Sequence, residues 1–181
     1  MHKSITFDDW EVKAFLDKTK GQFVRPLTPQ PKQLFDTVIE WKGGLYQPER
    51  ISNSNIIKRC PFGSIGNILC VKEAFFETPI GSLIYRSDLP LHVDAEDTEF
   101  GDDVDIDIDD YKWTSSAAMP KDYSRLKLQI IEVQVKRVWD ITGDAAQNWD
   151  KKYLKKNLGR DTNPFVWVIK FKKIKKTLDK H

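Results

Sequence analysis

The run from Arg59 to Phe76, RCPFGSIGNILCVKEAFF, limits what this chain can become more than any other stretch. A proline–glycine turn at Cys60-Pro61-Phe62-Gly63 leads to a second turn at Gly66-Asn67. Out of it comes an apolar run, Ile68-Leu69-Cys70-Val71, then Lys72-Glu73, then Ala74-Phe75-Phe76. Turn residues ahead of a β-rich run deliver the chain through a loop into a central strand. Two adjacent charges have no use in a plain core strand, so Lys72-Glu73 marks either the solvent edge or the lining of a pocket. The residues alone leave both open.

On the N-terminal side, Thr6 or Asp8 is placed to cap a first helix, with Glu11 three residues after Asp8 as in a capping box. Trp10, Val12, Ala14, Phe15 and Leu16 give that helix an apolar stripe, and Gly21 is positioned to end it. Gln22 to Leu27 is extended before prolines at 26, 29 and 31 close it off. Val38–Trp41 and Leu45-Tyr46 flank Lys42-Gly43-Gly44, a hairpin signal. Leu83–Arg86 reads as a short strand. Leu126 to Ile130 alternates, then Ile131 breaks phase before Val133 and Val135 resume, the trace of a bulge or barrel bend. Thr142 is a candidate cap for a helix carrying Ala145, Ala146, Trp149 and Tyr153 on one side and lysines at 151, 152, 155 and 156 around it. Asn163-Pro164 opens a last strand, Phe165 to Phe171, apolar on both faces until Lys170. Five or six strands and two principal helices imply an α+β, mainly β, chain, closer to a small barrel than to a layered sheet. At 181 residues it is expected to be a single domain, 1–181.

No apolar run approaches the ~20 residues that span a bilayer, and the N-terminus lacks a signal peptide's apolar centre. Cys60 and Cys70 without an export signal imply free thiols in a reducing cytoplasm. His2, His92 and His181 are scattered, so no zinc site and no cofactor is expected. The net charge of +2 conceals an asymmetry, because ten acidic residues and no Lys or Arg lie between Asp94 and Asp110. Without them the remainder carries +12. A body of that kind attracts polyanions at long range, although solvated surface lysines produce the same count. The acidic stretch, 88–112, is expected to be a long loop insertion extended by self-repulsion. Its Asp105, Asp107 and Asp109 have calcium-loop spacing, but Asp110 and Ser116 stand where the glycine and glutamate of such a loop belong.

Taken together the pieces resemble the ASCH family, whose fold is a PUA-like β-barrel, in the larger versions common in bacteriophage and prophage genomes. The matching pieces are LDKTKGQFVRPLTPQP, CPFGSIGNILCVKEAFF, IYRSD, the segment from Trp113 through MPKDYSRLKLQIIEVQVKRVWDIT, and NPFVWVIKFKKI. They occur in the family's order, cover well over half the chain, and leave the acidic loop between them. The family's Gly-x-Lys-x-x-(Thr or Glu)-x-Arg loop places its lysine on Lys20 and its arginine on Arg25, with Lys18 at the glycine position and Phe23 at the Thr/Glu position.

Some relatives of this kind look like amidohydrolases of acylated cytidine and others like ribonucleases. In the amidohydrolase pattern a lysine and a threonine work with a glutamate whose position here is Asn148. Lys20 is the candidate base, if burial lowers its pKa. Phe23 carries no hydroxyl and Asn148 does not titrate, so the chain leans away from catalysis; Thr19 or Glu73 is the substitute such chemistry would need. The resemblance implies a nucleic-acid-binding module, for RNA or a single strand, with Lys20, Arg25, Lys72, Glu73, Arg86, Trp113 and Arg125 around a basic cleft. Arginine offers a planar fork for phosphate, and Trp113 or Phe23 a surface for a base. The hydrolase is the alternative. A second alternative is a protein partner for the acidic loop 94–110.

Overall fold

The computed structural model describes residues 2–17, 21–47, 55–89 and 112–174. In chain order these form β1 (His2–Thr6), α1 (Asp9–Leu16), β2 (Gln22–Pro26), β3 (Lys32–Phe35), β4 (Val38–Trp41) and β5 (Gly44–Tyr46). There follow β6 (Ile68–Lys72), β7 (Phe75–Glu77), β8 (Leu83–Tyr85), β9 (Lys127–Arg137), α2 (Asp144–Gln147), α3 (Trp149–Tyr153) and β10 (Phe165–Ile174). The protein is α+β and mainly β. Among the described residues the strands make three open sheets, ordered β1-β6-β9-β10-β2, β3-β4-β5 and β7-β8. No helix among them is long and apolar enough to cross a membrane.

Two compact units divide the chain. The first comprises Met1–Lys3, Gly21–Leu69 and Leu128–His181, the second Ser4–Lys20 and Cys70–Lys127.

In the first unit, β10 pairs antiparallel with β2, setting Trp167 opposite Arg25 and Ile169 opposite Phe23. The expected all-apolar strand is buried from Phe165 to Ile169, as a strand covered on both faces must be. Gln30 extends the pairing with its side chain. Its Nε2 donates to the carbonyls of Leu27 (2.8 Å) and Phe165 (2.9 Å), and its Oε1 accepts from Phe165 N–H at 2.8 Å. On β9 the burial alternates through Leu128 and Ile130, skips the exposed Ile131, and resumes at Val133 and Val135. Two residues instead of one separate Ile130 from Val133, which is the anticipated phase switch. Lys42 and Gly43 both take positive φ (47° and 76°) between β4 and β5, as a two-residue hairpin turn of this hand requires.

Three expectations change. The described residues hold ten strands; β1 and β3 among them carry too little alternation to be seen, and all four residues of β3 are exposed. The second helix is broken in two at Asn148, whose φ of −96° and ψ of 4° leave the helical well. It starts at Asp144 behind Gly143, at φ 74°, so Thr142 does not cap it. Its apolar side is nonetheless as read: Ala146, Trp149 and Tyr153 join Val24, Val138, Ile141, Val166 and Val168 in one buried cluster.

In the second unit α1 has the expected capping box between Asp8 and Glu11, but it ends at Leu16 with Asp17 donating to the Lys13 carbonyl at 2.9 Å. Val12 and Phe15 form its buried stripe, and Phe15 stacks on Phe7 with centroids 4.7 Å apart. The strand expected from Leu83 to Arg86 stops at Tyr85, and Arg86 opens a 3-10 turn.

Candidate functional site

Glu73 is the pivot of the second unit. Phe7 N–H holds the Lys72 carbonyl at 2.9 Å and Val71 N–H reaches the Leu126 carbonyl at 3.0 Å, so the chain leaves β6 next to Arg125. Glu73 N–H points to the buried Met119 sulfur at 3.2 Å. The Glu73 side chain is fully buried, which for a carboxylate demands a charged, hydrogen-bonded partner. Arg125 is that partner: Nε donates to Oε1 and Nη2 to Oε2, both at 2.9 Å. Ser87 Oγ donates to Glu73 Oε2 at 2.6 Å and accepts from Arg125 Nη2 at 2.9 Å. On its other side the same guanidinium reaches Asp88, Nη1 to Oδ2 at 2.6 Å and Nη2 to Oδ1 at 2.7 Å. The Tyr85 ring lies 4.1 Å from the guanidinium carbon and its hydroxyl donates to the Tyr123 carbonyl at 2.7 Å. Burial on its own would pull the Arg125 pKa down, but the bonds to Glu73 and Asp88 carry it above the ordinary arginine value.

Arg86 is paired as well, its Nε 3.3 Å from Asp9 Oδ2 in the first turn of α1. Burial raises the Asp9 pKa, and Arg86 opposes that rise. Lys72 Nζ donates to the Ala117 carbonyl at 3.2 Å. Trp113 is half-buried beside Thr114, whose backbone exchanges two hydrogen bonds with Phe75 (3.1 and 2.8 Å). The structure thus places Lys72, Glu73, Arg86, Trp113 and Arg125 in one unit, and joins Glu73 to Arg125 directly. Both arginines there are committed to carboxylates. An arginine fork already holding two carboxylates has little left for a phosphate. Seven Lys and Arg face eight Asp and Glu among the described residues of this unit, a formal charge of −1. Ser87 and Glu73 sit at hydroxyl–carboxylate distance, and both are buried.

Arg25 belongs to the first unit. Its Nη1 donates to the Val24 carbonyl at 2.9 Å and its guanidinium lies 5.5 Å from the Phe23 ring centroid. Phe23 is 1% exposed, packed against Phe171 and edge-on to Phe62. It is a core residue, and a base has no access to it. Asn148 is half-buried at the break between α2 and α3. Lys20, Thr19 and the segment 94–110 with its aspartate triplet lie outside the described residues. Among the described residues no group of three or more His, Cys, Asp or Glu is arranged to hold a metal.

The positive charge collects in the first unit, which holds most of the lysine-rich C-terminal third. The described part of the first unit has sixteen Lys and Arg against seven Asp and Glu, a formal +9. Lys151, Lys155 and Lys156 stand exposed on and after α3, while Trp149 and Tyr153 are buried. The lysine spacing was legible; its separation from the acidic partners was not. No family model, curated protein or solved structure matches the chain.

Proposed function

We propose that this chain is a PUA-like, ASCH-type module of phage or prophage origin that binds nucleic acid, RNA or a single strand, in the cytoplasm. The reading is carried by one observation, the formal +9 of the described residues of the first unit against −1 for those of the second. Segregated like charge on a folded surface raises the local potential and recruits phosphate backbones, where the same charges evenly mixed with acids would not. The mainly β architecture and the five collinear segments support the PUA-like assignment, although the described strands form open sheets.

Binding of this origin releases counterions. For a single strand the logarithm of affinity should fall with the logarithm of salt, with slope about −0.7 for each phosphate neutralised. Titration of a labelled single-stranded RNA, followed by fluorescence anisotropy across a salt series, tests it. Charge reversal at Lys151 and Lys155 should flatten the slope, and Lys20→Ala and Arg25→Ala should weaken binding. Arg86→Ala, already neutralised by Asp9, should leave it unchanged. No binding at low salt would end the proposal.

A further inference from the structure

Two large aromatic rings of the first unit face solvent without the burial that usually explains an aromatic. Trp139 is 61% exposed and Phe35 71% exposed. Exposure alone is common for single apolar residues. These two are tied together through a continuous polar chain. Gln33 donates from Nε2 to the Phe35 carbonyl and accepts at Oε1 from Arg137 Nη2 at 3.3 Å. Arg137 Nη1 donates to the Asn163 carbonyl at 2.9 Å, and Asn163 Oδ1 accepts from Trp139 N–H at 3.1 Å. The Trp139 indole N–H closes the chain on the Arg160 carbonyl at 2.6 Å. The indole is therefore held at its N–H while most of the residue stays exposed.

The cations along this chain differ from those of the second unit. The guanidinium of Arg137 bonds to a carbonyl and an amide oxygen and lies 3.6 Å from the Phe165 ring centroid. That of Arg160 bonds to the Ala146 carbonyl at 3.2 Å. Among the described residues neither guanidinium is within ion-pair distance of a carboxylate, although the Asp140 carboxylate acts electrostatically on Arg137 and Asp150 Oδ1 accepts from the Arg160 backbone N–H at 2.8 Å. Both guanidinium groups keep N–H donors beyond these bonds, on residues that the polar chain links to Phe35 and Trp139.

We infer that Phe35, Arg137, Trp139 and Arg160 form a stacking platform for single-stranded nucleic acid, the rings taking successive bases and the arginines the phosphates between them. This rests on the nucleic-acid reading above and narrows it to one strand form and one face. The charge of the described residues of the unit, formal +9, matches a polyanion and opposes a basic protein partner. Paired bases of a duplex present no ring face to the platform, so the face discriminates against duplex. An indole already fixed by its N–H loses little freedom when a base stacks on it, which favours binding.

The test is a comparison of single-stranded RNA with a duplex of the same length, by fluorescence anisotropy on the full chain at low salt. Trp139→Ala should weaken the single strand roughly tenfold, within the ~1–3 kcal/mol of a base–aromatic contact, and leave the duplex unaffected. Phe35→Ala should act in the same direction. Trp139→Phe, which keeps a ring, should retain most of the affinity. Wild-type protein should also show quenching of tryptophan emission on saturation with the single strand, reduced in Trp139→Phe. Wild-type binding that both alanine variants leave intact, or that they weaken equally for strand and duplex, overturns the platform while the nucleic-acid reading stands. Absence of any wild-type binding overturns both.

Discussion

Replacing Arg125 by methionine would leave Glu73 inside the second unit with one hydroxyl partner, Ser87. Removing one member of a buried ion pair costs about 3–5 kcal/mol, because the charge left behind must be neutralised or rehydrated. Glu73 is fully buried, which argues for the upper end. Arg125 is 26% exposed and Asp88 45% exposed, so water can reach the guanidinium side of the pair and bring the cost down. About 3 kcal/mol is the expected loss, or roughly 6–12 °C in Tm for a chain of this size.

Asp88→Ala removes the more exposed carboxylate and should cost only about 0.5–1 kcal/mol. Arg125→Met combined with Glu73→Leu should recover most of the loss, since an apolar pair of similar volume replaces a buried ion pair at little net cost. Urea unfolding followed by far-UV circular dichroism gives each value, provided the slope with denaturant is unchanged. A loss under about 1 kcal/mol for Arg125→Met, or a double variant no better than the single, would show that the contact is not a buried ion pair in effect.

Asp9 has its folded-state pKa raised above 3.8, chiefly by burial. The native state therefore takes up this proton before the unfolded chain does, and stability from this group rises as pH falls through the raised value towards 3.8. Relative to Asp9→Asn, wild-type protein should gain stability across that window in urea melts, and a flat or reversed difference would refute it. Cys60 is buried and its thiol pushed up from 9.0 by burial, against the backbone N–H groups of Phe62 and Gly63. It should resist alkylation at mildly alkaline pH in native protein and react in urea, as mass spectrometry would read. Deleting residues 94–110 changes the formal net charge from +2 to +12. Nucleic-acid affinity should rise at low salt and the gain shrink at high salt; equal affinity at low salt would exclude any electrostatic role for the segment.

Features that depend on near neighbours in the chain could be read before the structure. The Asp8–Glu11 box, the Lys42-Gly43 turn, the phase switch at Ile131 and the apolar side of α2 and α3 all rest on spacings of a few residues. Charge is different, because the effect of an arginine depends on what stands opposite it. Arg125 finds Glu73 across 52 residues and Asp88 across 37. Counting cations in matching segments therefore ranked Arg86 and Arg125 as ligand-binding groups, when folding had already given each a carboxylate. Arg137 and Trp139 lie in a matching segment too, but nothing in the sequence separates Arg137 from the cations that pair with carboxylates or shows that Trp139 stays exposed. Arg137 and Arg160 differ from Arg125 in that carbonyl and amide oxygens, not carboxylates, accept their guanidinium hydrogen bonds. That difference moves the candidate surface from β6 and its flanks to the end of β9, and the choice between Arg125 and Arg137 as binding residues is one that a single pair of alanine variants can make.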